Sequence, residues 1–208
     1  MTNQATPSGA TRQTLLDAAQ AIMAGKGFSA VGLNEILNAA GVPKGSFYHY
    51  FASKEAFGQA LLARYFDTSL ATLDAMLAPD AASVGERLMR YWQHWADSQM
   101  AAGPHAKCLV VKLGAEVADL SAAMRRTLHD GTARLIARLA AAIEAGVADG
   151  SLATVHDPAE AARTLYQTWL GASVMAKISG GRAPFDDAAA VTRQMLRPVA
   201  KHEHRQHA

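Results

Sequence analysis

The chain has 208 residues, of which 50% are hydrophobic, 18% charged and 7% aromatic, a composition that supports a packed core and excludes a disordered chain. Lys and Arg number 20 against 18 Asp and Glu, so the formal charge of +2 is too small to argue for a nucleic-acid partner unless the cations are locally placed. The single Cys excludes an internal disulfide framework and a Cys-rich zinc site, and no apolar run reaches the roughly 18 residues that a membrane span needs.

The opening segment MTNQATPSGATR has no charged start followed by an apolar stretch, so no signal peptide is expected and the chain reads as cytoplasmic. Leu15, Ala19, Ile22 and Met23 then repeat at helical spacing, and Leu33, Ile36, Leu37 and Ala40 do the same. No sustained period-two run of β-branched residues appears, so the expected fold class is all-α. Breakers at Gly25 to Gly27, Gly41 to Pro43, Pro79, Gly103–Pro104, Gly150, Asp157–Pro158 and Gly180 to Pro184 divide the chain into about nine helices. The first three, near 10–26, 33–40 and 44–50, are short and joined by tight turns. Ser53 is a good N-cap for a fourth, and the helices beyond it are longer. The expected organisation is a three-helix unit at 1–52, a larger helical body at 53–200, and a polar tail, KHEHRQHA, that reads as disordered.

The segment from Leu33 to Phe51 carries the most information. Gly41 suits the left-handed end of one helix, and Pro43 suits the first turn of the next. Two helices joined so closely form a helix-turn-helix. In the second, Phe47, Tyr50 and Phe51 share an inward face, while Gly45 and His49, flanked by Ser46 and Tyr48, point outward. Lys44 at the helix start suits guanine acceptors or a phosphate. Gly45 removes bulk where the helix approaches a groove. Ser46, Tyr48, His49 and Tyr50 supply hydroxyl or ring donors for phosphates. Lys54 adds a cation beside free N–H groups at the next helix start, and Thr11 and Arg12 at the start of the first helix are placed to touch the flanking backbone.

The run KGSFYHYFASKEAF at 44–57 resembles the second half of the TetR-type DNA-binding domain, and the likeness runs from about Thr11 to Leu62. The resemblance implies an all-helical homodimer whose two N-terminal heads read a near-palindromic operator in double-stranded DNA. It carries Lys44, Gly45, Ser46, Tyr48, His49, Tyr50 and Lys54 over as groove or phosphate contacts.

Cys108 follows Gly103–Pro104, which places it in the first turn of a helix. Lys107, Lys112 and His105 lie close in sequence. Helix dipole and cations together are expected to depress its thiol pKa and make it reactive. The alternative is a small buried hydrophobe. The segment KCLVVKLGAEVADLS at 107–121 with Met124–Arg125, and LYQTWLGA at 165–172 with Ala176 to Ser179, resemble a branch of the same family that senses electrophiles and reactive chlorine. That likeness implies a sensing cysteine at Cys108 with a neighbouring lysine at Lys177, and a small electrophile or ligand as inducer.

Trp92, Trp95, Tyr166 and Trp169, with Tyr91, gather the body's large aromatics, either as a ligand pocket or as plain core. Leu165, Trp169, Ala172 and Ala176, beside the small Gly171 and Ser173, make a stripe suited to a dimer face built with a last helix at about 185–197. His202, His204 and His207 read as a solvated end rather than a metal site, and no cofactor signature appears. Two other readings stay open: a repressor induced by a non-covalent apolar ligand among the aromatics, and an enzyme using Cys108 as nucleophile. The enzyme lacks an evident general base beyond His105 and leaves the N-terminal motif unexplained.

Overall fold

The computed structural model describes residues 7–101, 103 and 108–199, with side chains from residue 9 onward. Among the described residues the chain forms nine α-helices and no strand: α1 (Pro7–Lys26), α2 (Leu33–Ala40), α3 (Lys44–Tyr50), α4 (Lys54–Leu77), α5 (Val84–Met100), α6 (Leu109–Leu120), α7 (Ala122–Ala148), α8 (Pro158–Ser179) and α9 (Ala183–Leu196). An isolated antiparallel bridge joins Leu152 and Pro198. His105, Lys107, His202, His204 and His207 lie outside the described residues.

Two compact units emerge. The first comprises Met1–Thr68 and Ala101–Thr132, the second Ser69–Met100 and Ala133–Ala208. In the first, Leu15, Leu16 and Met23 of α1 bury with Ile36 of α2, Phe47 of α3 and Phe57 of α4. Gly41 closes α2 in the left-handed conformation at φ 64°, and the Val42 N–H reaches back to the Leu37 carbonyl at 3.0 Å. That pair of features turns the chain within a few residues, so that α3 can begin at Lys44. Pro43 sits one position earlier than the sequence suggests, as the N-cap rather than inside the first turn. The Ser53 hydroxyl accepts the Ala56 N–H at 3.0 Å and caps α4. Gly58 of α4 leaves no room for a side chain, since an added Cβ would lie 2.6 Å from Met124 Sδ and 2.7 Å from the Phe28 ring.

The second unit is built around rings. Trp92 of α5 stacks on Trp169 of α8 with centroids 5.1 Å apart, and Trp169 stacks on Phe185 of α9 at 6.0 Å. The Trp169 indole N–H donates to Thr192 Oγ1 at 2.8 Å, and that of Trp95 donates to Ser173 Oγ at 3.0 Å. Such pairing lets indoles sit in a core without stranding a donor. Asp157 caps α8 by accepting the Glu160 N–H at 2.8 Å, Pro158 opens its first turn, and Gly180 ends it in the left-handed region. The stripe expected to face a second subunit is inside: Leu165, Trp169, Ala172 and Ala176 are all buried within the chain. The exposed apolar positions of α8 and α9 lie on other faces, at Val174, Met175, Ile178 and Val191. The reason is volume. Trp169 needs a cavity as large as the one formed by α5 and α9, and its helical neighbours at i+3 and i+7 follow it inward.

Candidate nucleic-acid interface and buried thiol

The reading face is set by what α3 buries. Phe47 is fully enclosed, with its ring 5.3 Å from those of Phe51 and Phe57. A helix of 3.6 residues per turn anchored at Phe47 must turn Gly45, Tyr48 and His49 away from that core, while Lys44 opens the helix as its first residue. All four are exposed, and Tyr48 shows 54% of its surface. Ser46 and Tyr50 flank them, and both are half-buried. Tyr50 therefore does not pack inward as fully as Phe47 and Phe51; its ring meets His49 edge-on at 4.9 Å. A Cβ added at Gly45 would meet nothing within 4 Å. Glycine inside a helix costs about 1 kcal/mol relative to alanine, and nothing within the chain requires it here.

The flanking residues are used differently from the expectation. α1 begins at Pro7, so Thr11 and Arg12 lie in its second turn rather than at its start. Thr11 is half-buried; Arg12 is exposed, with its guanidinium carbon 5.3 Å from the Phe51 ring centroid. Lys54 is engaged within the protein. Its Nζ donates to the Phe28 carbonyl at 2.9 Å and lies 4.7 Å from the Phe28 ring centroid. Burial pushes the Lys54 pKa below its ordinary value, against the opposing pull of the Glu116 carboxylate. Within the chain the ammonium therefore holds the turn that follows α1.

Cys108 is the N-cap of α6, one position before the first turn, and it is buried. Its thiol pKa is raised, not lowered. Burial is the main cause and outweighs the Tyr65 hydroxyl, which donates to Sγ at 3.1 Å, and the Val111 and Val110 N–H groups that face the sulfur without forming a capping hydrogen bond. Dipole and donors act in the expected direction, but removal from water is the stronger influence. Lys177 is exposed on α8, in the second unit. Trp92 and Trp169 are almost fully enclosed, and Tyr166 and Trp95 meet edge to face at 5.7 Å. These rings fill one another's space, as core aromatics do. The Trp92 Nε1 is a buried donor without a partner. No group of three or more potential metal ligands occurs among the described residues, and no helix among them is long and apolar enough to cross a membrane.

Two residues that the sequence pattern does not single out matter to the site. Tyr65 meets the sulfur from α4. Glu116 of α6 accepts N–H groups from Phe28 and Ser29, residues far away in sequence. Neither has a local signature, because each partner lies tens of residues distant.

Comparison with known proteins places these features in a family. Residues 15–67 match the family described as bacterial regulatory proteins, tetR family, and residues 85–192 match the tetracyclin repressor-like, C-terminal domain. The chain is 39% identical over 186 residues to the HTH-type transcriptional repressor NemR of Escherichia coli, spanning 89% of this chain and 94% of that protein. It is 38% identical over 173 residues to the transcriptional regulator AcuR of Cereibacter sphaeroides, spanning 80% of this chain and 76% of that one. The crystal structure of reduced E. coli NemR superposes with a TM-score of 0.85 at 40% identity, over 92% of this chain and 99% of that one.

Proposed function

Because this chain belongs to the TetR family of bacterial regulatory proteins and is a TetR-type transcriptional repressor, we propose that it holds a palindromic operator as a homodimer and releases it when Cys108 is modified by an electrophile or an oxidant. The observation that carries the DNA-reading part is the outward face of α3. Lys44, Tyr48 and His49 are exposed around a glycine that no packing contact explains, on a helix fixed by the enclosed Phe47. A smooth, cationic helix start of this kind suits a major groove. Residues 1–52 form the reading head in this account, and 53–200 the regulatory and dimerising body. Two heads about one helical turn of DNA apart would match the half-sites, and a repressor acting on bacterial operator DNA would work in the cytoplasm.

The sulfur chemistry follows from the buried thiol. At rest the thiol is protonated beside the Tyr65 hydroxyl. After loss of its proton, the thiolate adds to the electron-poor carbon of a maleimide or quinone. An S–C bond forms, the π pair moves onto the conjugated carbonyl system, and the resulting enolate takes up a proton, which ends on carbon for a maleimide and on oxygen for a quinone. A hypochlorite-class oxidant instead passes its oxygen to sulfur and leaves as chloride, giving a sulfenate. Either product is bulkier and more polar than the thiol, which is buried. The modified sulfur therefore favours a different placement of α6, and operator affinity falls by that differential. The E. coli relative's crystal structure is described as a reduced form, which supports a redox-responsive reading here. The role of Lys177 rests on the family likeness.

The test is a mobility shift on the DNA upstream of the protein's own gene, at stated salt, with and without N-ethylmaleimide. The wild-type chain is expected to bind and then release; Cys108→Ser is expected to stay bound. Equal release by Cys108→Ser would refute thiol sensing and favour a non-covalent inducer. Catalytic loss of the electrophile without stoichiometric loss of thiol would favour the enzyme reading.

A further inference from the structure

The turn between α1 and α2 is gripped from two sides by opposite charges. Gly27 leaves α1 at φ 99°, and its backbone lies so close to α6 that an added Cβ would sit 3.0 Å from Glu116 Oε2. The next two backbone N–H groups donate to that one carboxylate, Phe28 to Oε2 at 3.0 Å and Ser29 to Oε1 at 2.6 Å. From α4, Lys54 Nζ donates to the Phe28 carbonyl at 2.9 Å. The neighbouring Glu55 accepts the Ser121 hydroxyl, whose oxygen in turn accepts the Met124 N–H at 3.1 Å at the start of α7. The 28–29 segment, the start of α4 and the end of α6 therefore form one polar joint, all within the first unit.

The joint does something that the surrounding packing does not. α1 and α6 also lie against each other, but apolar packing is non-directional and tolerates sliding. A carboxylate holding two adjacent backbone donors fixes both distance and angle. Glu116 also stays ionised at neutral pH. Burial raises its pKa, yet the Ser29 and Phe28 donors and nearby Lys112 outweigh that and hold it below the ordinary carboxyl value. Cys108 caps the other end of the same helix, about two turns or 12 Å away at 1.5 Å per residue.

We infer that Glu116 is the positioning residue through which α6 sets the orientation of the α2–α3 reading pair, so that displacement at the Cys108 end of α6 reaches the DNA-reading face through the Phe28–Ser29 turn. The inference rests on the operator-repressor reading and adds its route of transmission. It predicts that loosening the carboxylate weakens operator binding without touching any residue that faces DNA.

The experiment uses the full chain and two variants, Glu116→Gln and Glu116→Asp, with two readouts. The first is hydrogen exchange of the Phe28 and Ser29 amides. The second is affinity for the upstream DNA at fixed salt, measured beside affinity for random-sequence DNA. Glu116→Gln is expected to exchange at least tenfold faster at both amides and to bind the upstream DNA about tenfold more weakly, with less than twofold change on random DNA. Glu116→Asp keeps the charge but is one methylene short, and is expected to fall between. In the wild type, N-ethylmaleimide with its adduct confirmed by mass is expected to speed exchange at the same amides; in Glu116→Gln it adds little. Unchanged amide protection in Glu116→Gln overturns the inference, as does faster exchange with unchanged operator affinity or a wild-type adduct that leaves the turn protected. Should Glu116→Gln fail to fold, Glu116→Asp decides by the same criteria. A wild-type chain that binds no upstream DNA refutes the repressor reading, and the exchange readout still judges the joint.

Discussion

Tyr65→Phe tests the buried thiol most sharply. The substitution removes one oxygen that donates to Cys108 Sγ at 3.1 Å and keeps the ring in place. A hydrogen bond to a charged acceptor contributes about 1.5–3 kcal/mol, and one to a neutral acceptor about 0.5–1.5 kcal/mol. Losing it therefore disfavours the thiolate over the thiol by roughly 1 kcal/mol. The direction matters more than the size. Burial already raises this pKa, and the Tyr65 hydroxyl opposes that rise, so its removal raises the pKa further. Below the native pKa the thiolate fraction should fall about fivefold, and alkylation by iodoacetamide should slow by a similar factor. The assay is clean because the chain has one Cys. Rates measured from neutral pH upward should still be climbing where an ordinary thiol has levelled off, and the Tyr65→Phe curve should lie to the alkaline side of the wild type. Equal or faster alkylation of Tyr65→Phe across that range would refute the claim that this hydroxyl supports the thiolate.

Phe47→Ala should destabilise the first unit by about 3–5 kcal/mol, because the ring is fully enclosed and three neighbouring aromatic contacts go with it. Calorimetry should register a drop in Tm on the order of 10 °C; a near-neutral result would show that α3 is held by something else. The Glu116 carboxyl lies below its ordinary pKa in the folded chain, so its contribution is complete above the ordinary carboxyl range and disappears as pH falls through the depressed native value. Amide NMR of Phe28 and Ser29 should show one acidic transition, absent from Glu116→Gln; persistence of that transition in the variant would assign it to another group.

Much of the fold is legible in the sequence because it depends on local signals. The i, i+3, i+4 apolar spacing of α1 and α2, the left-handed Gly41, the Ser53 cap and the Asp157–Pro158 start each act within a few residues, and each appears where the sequence places it. The outward face of α3 is legible for the same reason, since Phe47 alone fixes its rotation. What is not legible depends on partners distant in sequence. Cys108 has the dipole and neighbours of an activated thiol, but its environment is set by burial among residues of α4 and α6, and desolvation reverses the expected direction. The hydrogen bond from Lys54 to the Phe28 carbonyl, 26 positions earlier, is likewise invisible to local pattern. The small-residue stripe of α8 looks like a subunit face until Trp169 shows which side needs the larger cavity. Glu116 looks like an ordinary solvated carboxylate on α6, because its partners lie 88 and 87 positions away.

The central claim is that the exposed side of α3 reads a duplex. Lys44→Ala tests it directly, since Lys44 is exposed at the helix start and its removal leaves the core intact. Affinity for the upstream DNA should be measured by fluorescence anisotropy as a function of salt for both proteins. The account predicts weaker binding by the variant and a salt slope shallower by roughly 2, one phosphate contact of about 0.9 from each of two subunits. Identical affinity and identical slope would contradict it.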